Sequence, residues 1–407
     1  MSFSRSDVHN FAAGPSPLPT PVLEEAAKGL LNYKGTGMGI CELSHRSKEF
    51  EAIIFGAEAN LRKLLSIPDN YSVLFAQGGA TTQFSSTLLN ILAYRRMQHK
   101  ADTSYTPPPV DYVVTGTWSA KAHQEAQRLC MPPQPGAEPL AHPRIAATTK
   151  PTKYTTLPKA DEYSFSPDAA MVYYCENETI NGIEYPLDQS SPCAFPYDKI
   201  PEGVPLVGDY SSSFISRPIP HLERHAVIHA GVQKNLGPAG VTVIIVRNDY
   251  LVDTTEAMKL GGIPPVPIQN EYKILADNQS LYNTPPVFAI YVSALVLEYL
   301  LAKGGIENLE KTNREKARVL YETLEKAEAA GTVRMVVREK DARSWMNVVW
   351  EQVGEGANEK FLKGADGKGF RQLKGHRSVG GIRASLYNAV TVESVQGLSE
   401  YIDGFSA

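Results

Sequence analysis

His229-Ala230-Gly231-Val232-Gln233-Lys234-Asn235-Leu236-Gly237-Pro238-Ala239-Gly240 sets one lysine in a loop of small residues. The apolar run Ala226-Val227-Ile228 precedes it, and Val241-Thr242-Val243-Ile244-Ile245-Val246 follows. The second run is short, β-branched and continuous, the pattern of a strand buried on both faces. Lys234 is therefore expected where a core strand ends, with glycines that let another group approach the backbone. An amine held there, away from bulk water, loses its proton more readily and can attack a carbonyl. Taken alone, the stretch favours a plainer reading, a solvated lysine in a hairpin.

Upstream residues change that balance. Tyr71 to Ala76 reads as a strand, and Gln77-Gly78-Gly79-Ala80-Thr81-Thr82-Gln83 opens a helix. A strand, a glycine turn and a helix N-terminus can bind phosphate through free backbone N–H groups, although Gly-Gly before a helix is also a plain tight turn. Neither GxGxxG nor GxxxxGK[ST] occurs at this turn, against a dinucleotide or P-loop site. Val110 to Thr115, Met171 to Cys175 and Leu206 to Gly208 read as further strands. They lead into loops carrying Trp118, Thr179 and Asp209. Repeated strand, polar loop and helix predict a mostly parallel α/β sheet, whose ligands sit at the carboxyl ends of strands.

The 407 residues are 43% hydrophobic with a formal charge of -4, an ordinary globular composition that gives no basis for a nucleic-acid or anionic-membrane partner. Cys41, Cys130, Cys175 and Cys193 show no CxxC pairing and no zinc spacing, which fits unpaired thiols in a reducing compartment. Met1 to Pro19 lacks the apolar stretch of a signal peptide. The apolar segment Val287 to Leu297 is too short to span a bilayer and reads as a buried helix opened by Pro285-Pro286. A cytoplasmic protein is expected.

Together, a phosphate cradle, an aromatic plate, a hydroxyl, a carboxylate and an amine are the parts needed to hold pyridoxal phosphate. Each alone reads more plainly: Trp118 as core, Thr179 as a helix cap, Asp209 as a turn acid. At Gly35 to Arg46, a glycine-rich loop ends in His45-Arg46, either a solvated turn or an anion clamp.

With Ser44-His45-Arg46, Asn177 to Gly182, Gln233 to Gly240, Asn283-Thr284-Pro285-Pro286 and Gly375 to Ser385 in this order, the chain resembles the phosphoserine aminotransferases from about Asn10 nearly to its C-terminus. The resemblance implies a fold-type I pyridoxal-phosphate transferase. It would comprise a large domain with a mostly parallel mixed sheet (16–286) and a smaller α+β domain (1–15 and 287–407). It implies a homodimer with active sites at the interface.

It also implies residue roles. Lys234 matches the Schiff-base lysine and proton carrier, Trp118 the stacking aromatic, and Asp209 the partner of the pyridine nitrogen. Thr179 and Gln233 match flanking hydrogen-bond donors, and Ala80 and Thr81 the phosphate turn. Asn283 and Thr284 match residues reaching the cofactor phosphate from the neighbouring subunit. Arg383 matches the residue that pairs the substrate α-carboxylate. His45, Arg46, His376 and Arg377 resemble the cluster around the distal anion. At Thr81 bacterial members often carry arginine, and at Ala13 some carry serine. The reaction implied is amino transfer between L-glutamate and 3-phosphohydroxypyruvate, giving 2-oxoglutarate and phosphoserine. A transaminase acting on alanine, serine or glyoxylate has no need of two His-Arg pairs. A lyase would want a cysteine on a mobile loop, a place Cys41 could fill. A phosphate-binding protein without chemistry would not need Lys234 and Asp209.

Overall fold

Apolar residues alternating along short runs supply two faces of one sheet. The computed structural model describes residues 4–102, 104–132 and 134–405. The ends of the expected smaller domain (1–3 and 406–407), and Thr103 and Pro133 in the two proline-rich insertions, lie outside them. The sheet contains β1 (Tyr71–Ala76), β2 (Pro109–Val114), β3 (His142–Thr148), β4 (Val172–Cys175), β5 (Leu206–Asp209), β6 (His225–Gly231) and β7 (Thr242–Arg247). Their spatial order is β1-β7-β6-β5-β4-β2-β3. β7 runs antiparallel to β1 and β6, and the other neighbouring pairs are parallel. The mostly parallel α/β sheet expected from the strand spacing is what forms.

Period two sorts the side chains. Val73, Phe75, Val243 and Ile245 enter one core, which α1 (Thr20–Leu31) and α2 (Lys48–Leu65) cover. Leu74, Ala76, Ile244 and Val246 enter a second, under α3 (Gly79–Gln98) and α4 (Thr117–Leu129). Sequence signals fix the ends of α2. The Ser47 side chain accepts from Phe50 N, Glu49 and Glu51 occupy the first turn, Arg62 and Lys63 the last, and Ser66 closes it in a left-handed conformation.

The division expected at residue 286 cuts across this packing. Helix α5 (Val287–Ala302) buries Ile290, Leu297 and Leu300 in the first core, with α2. Helix α6 (Gly305–Ala329) then spans two cores: Leu309 belongs to the first, Leu320 and Leu324 to a third. That third core lies on β8 (Val333–Met335), β9 (Asn347–Gln352) and β10 (Ile382–Ser385), closed by α7 (Val392–Asp403). Phe11 joins it, because His9–Asn10 pairs parallel with Phe370–Arg371.

Lys316, midway along α6, is fully buried. Its Nζ donates to the carbonyls of Leu386, Tyr387 and Val390 at 2.7, 3.0 and 3.0 Å. Three donors meet three acceptors, which ties the loop after β10 to α6. Lys316→Met keeps the apolar stem and takes this donor from all three carbonyls, of which Tyr387 O keeps its bond from Val390 N at 2.8 Å. It is expected to lower the unfolding free energy of the apoprotein by ~3 kcal/mol, read from the urea midpoint.

Candidate active site

Between β6 and β7 the loop coils back on itself, with Leu236 N and Gly237 N donating to Val232 O at 3.1 and 2.9 Å. The backbone on each side of Lys234 is fixed from outside the loop. Ser16 N donates to Gln233 O at 3.0 Å, and the Ser16 hydroxyl donates to Lys234 O. Asn235 donates to Phe214 O at 3.0 Å and accepts from Asn388 N at 2.9 Å. The plainer reading of a solvated hairpin lysine is thereby overturned: Lys234 is only 8% exposed. Its Nζ donates to Thr179 Oγ1 at 2.8 Å and lies 5.9 Å from the Trp118 ring centroid. Burial lowers its pKa, and the nearby Asp209 carboxylate opposes that shift.

Lys234 lines a cavity of about 270 Å³ that also brings together Ala80, Thr81, Trp118, Thr179, Asp209 and Gln233. Each comes from the end of a strand or the start of a helix. Asp209 is the last residue of β5, and its Oδ1 accepts from Ser211 N at 2.9 Å and Ser211 Oγ at 2.6 Å. Ala80 and Thr81 lie in the first turn of α3, whose N-cap is Gly78 at φ +92°. A Cβ on Gly78 would fall 2.0 Å from Thr82 Oγ1, so the tight turn requires glycine. No side chain caps α3, which leaves its first N–H groups free to bind an anion.

Trp118 is held by residues whose part was not legible in the sequence. Glu178, buried just after β4, accepts from Trp118 N and Ser119 N, each at 2.8 Å, and from the Ser119 hydroxyl. Asn181 Oδ1 accepts from Thr117 N at 3.0 Å. The segment that delivers Thr179 therefore also caps the helix that delivers Trp118. Burial pushes the Glu178 carboxyl up, against the three hydrogen bonds that favour its anion. Ser211 was findable, since a serine two residues after an aspartate is an Asx-turn signal. Glu178 and Asn181 act across some sixty residues, and nothing local marks them.

The remaining expected residues fall into two further groups. Arg383, on β10, donates to Thr179 O at 3.3 Å, at the border of the cavity. Burial lowers its pKa, and burial with the nearby charges of Arg383, Lys121 and Arg377 does the same to His376. Arg377 and Arg383 thus form one positive field, which favours the neutral imidazole of His376 beside them. His45 and Thr284 form the other group, with His45 Nδ1 3.3 Å from Thr284 Oγ1. Arg46 beside them is exposed, and Asn283 lines a separate recess with Gln77 and Gly78. The cavity around Lys234 does not include them.

These residues fit pyridoxal phosphate. The donor set comprises a buried amine, a carboxylate, an indole and an uncapped helix start. Trp118 Nε1 and Asn177 Oδ1, from two cavity-lining residues, have no partner among the described residues. Cys41 is exposed and is not among the lining residues; the cysteine that does line the cavity, Cys175, is buried at the end of β4 and not on a mobile loop, and burial pushes its thiol pKa up.

Comparison with known proteins agrees with this geometry. The class-V aminotransferase family profile matches residues 8–398. The phosphoserine aminotransferase of Aromatoleum aromaticum is 42% identical over 402 residues, 98% of each chain. The solved phosphoserine aminotransferase of Bacillus circulans subsp. alkalophilus superposes with a TM-score of 0.83 at 37% identity, covering 97% of both chains. A solved phosphoserine aminotransferase of Trichomonas vaginalis, described as bound to pyridoxal phosphate, gives 0.81 at 35% identity, covering 97% of this chain and 99% of its own. With likeness running along nearly the whole of each protein, the chain belongs to the class-V aminotransferases and, among them, to the phosphoserine aminotransferase family.

Proposed function

We propose that this enzyme transfers an amino group between L-glutamate and 3-phosphohydroxypyruvate, giving 2-oxoglutarate and O-phospho-L-serine, a step of serine biosynthesis. The observation that carries the proposal is the Lys234 amine, buried beside Thr179 in one cavity with Asp209 and Trp118. Pyridoxal phosphate bound there supplies an aldehyde for amine capture and a ring that withdraws electrons from Cα. Lys234 is the amine that meets the aldehyde and the base that moves the proton at substrate Cα. Asp209 holds a proton at the ring nitrogen, Trp118 offers its face to the ring, and Thr179 and Gln233 flank it. The free N–H groups at Ala80 and Thr81 take the phosphate. Thr81 offers a hydroxyl and no charge, so backbone donors dominate here.

The substrates differ at their distal ends, one a phosphate and one a carboxylate. Arg383 suits the α-carboxylate that both share, through a bidentate pair. His376 and Arg377 with His45 and Arg46 can take either distal anion, because two guanidinium cations with two imidazole donors adapt where a single fixed donor would not. The location of His45, Arg46, Asn283 and Thr284 outside the Lys234 cavity supports a homodimer in which these residues complete the partner's site. Leu30, Leu31 and Met38, all exposed in the segment leading to His45, support a covered surface there. Two bodies, divided within α6, are the domain reading that the cores support. The four unpaired thiols support a reducing compartment such as the cytoplasm. Among the described residues no single helix is long and apolar enough to cross a membrane.

The visible spectrum of the loaded enzyme is expected to bleach with glutamate and recover with 3-phosphohydroxypyruvate. Recovery only with pyruvate or glyoxylate would leave the fold and remove the substrate assignment. Lys234→Ala is expected to slow the half-reaction ~10²–10⁴-fold in single-turnover measurements. Because burial lowers the Lys234 pKa, the fraction of neutral amine rises with pH earlier than for a free lysine. The rate at which apoprotein captures the cofactor should therefore climb with pH and level off below the ordinary lysine value, as stopped-flow absorbance would show. Mixing inactive Lys234→Ala and Arg46→Ala chains is expected to restore activity, since each hybrid dimer keeps one intact site. No recovery from demonstrably mixed dimers would place Arg46 in its own chain's site.

A further inference from the structure

His229 is fully buried in β6, beside Asp209 on β5, and the parallel register pairs the two residues directly. Their side chains therefore emerge on one face of the sheet. Tyr173 on β4 and Phe84 on α3 complete the surroundings of the imidazole, with ring centroids 6.0 and 6.3 Å away. The Tyr173 hydroxyl lies 3.3 Å from His229 Nε2. His229 Nδ1 has no hydrogen-bond partner among the described residues and lies 3.9 Å from Asp209 Oδ1. A buried orphan nitrogen aimed at the carboxylate that serves the cofactor calls for an explanation.

The tautomer supplies it. If Nε2 carried the proton, a lone pair on Nδ1 would face the Asp209 anion. If the Tyr173 O–H donates to Nε2, then Nδ1 carries the proton and presents a donor to the carboxylate. Burial keeps the Tyr173 hydroxyl protonated and lowers the His229 pKa, so neutral donors are available on both counts. The other ionisable groups facing this pair are Lys234, Glu178 and Cys175 around Asp209, and Tyr112 behind Tyr173.

We propose that His229, held as its Nδ1–H tautomer by Tyr173, is a positioning residue for Asp209. A small rotation closes the 3.9 Å gap to a hydrogen bond when the cofactor nitrogen engages the other side of the carboxylate. This rests on the role given to Asp209 above. His229 then keeps that carboxylate anionic and aimed into the cavity, and the orphan nitrogen is satisfied in the working enzyme.

Three variants test it: His229→Phe, which keeps the ring and removes both nitrogens, His229→Asn, which keeps a short donor, and Tyr173→Phe. In the apoprotein, ¹⁵N NMR of the His229 ring is expected to show the proton on Nδ1. His229→Phe is expected to weaken pyridoxal phosphate binding ~10-fold and to lower kcat with KM little changed. It should also shift the pH midpoint of the cofactor absorbance. His229→Asn should recover most of each effect, and Tyr173→Phe should move them in the same direction by less. A proton on Nε2, a His229→Phe enzyme with wild-type affinity and midpoint, or an asparagine no better than phenylalanine would each overturn the proposal. If His229→Phe does not fold, the NMR tautomer and Tyr173→Phe decide it. Asp209→Asn separates the two readings: its loss of tight cofactor binding beside a silent His229→Phe sinks this proposal alone. An Asp209→Asn enzyme that binds normally sinks both.

Discussion

Keeping an amine out of water and fixed in place demands that its backbone cannot drift, and this demand organises the chain around Lys234. The neighbouring peptides are held from three directions: by Ser16 in the N-terminal segment, by the Phe214 carbonyl after β5, and by Asn388 after β10. Parts of the chain far apart in sequence thus converge on one loop. Lys316 extends the arrangement by fastening the 386–390 carbonyls to α6. An ordinary surface lysine would need none of this. The cost of desolvating it is carried by rigidity elsewhere.

The second ingredient is the double use of one segment. Asn177 to Gly182 brings Thr179 to the Lys234 amine and Glu178 and Asn181 to the start of α4. The Trp118 backbone and the Lys234 amine are therefore both tied to the same short stretch of backbone. Gly116 makes the close approach possible, since a Cβ there would meet the Glu178 carboxyl carbon at 2.3 Å.

How much could be read beforehand follows from the range of the interactions. Helix α2 was expected over Lys48 to Leu65 and forms over those residues, because its cap, charge bias and left-handed stop are local. Trp118, Thr179, Asp209 and Lys234 were legible because strands end there, and all four line one cavity. Helix α5 shows the limit. Its apolar run announced burial, but Pro285-Pro286 marks only where a helix begins, and nothing local says which core receives it. Glu178 and His229 were missed for a related reason. The first bonds across some sixty residues, and the second gains its meaning only from the register between β5 and β6.

The antiparallel strand β7 of the seven-stranded sheet has a kinetic consequence. β6 and β7 are joined by only ten residues, whereas β5 reaches β4, and β4 reaches β2, across crossovers several times longer. Closing a short hairpin takes microseconds, and long parallel pairings wait on the entropy of much larger loops. The Lys234 turn therefore carries a smaller loop-closure cost than the parallel pairings of this sheet. Thr179 and Asp209 reach the same cavity only through pairings that close much longer loops.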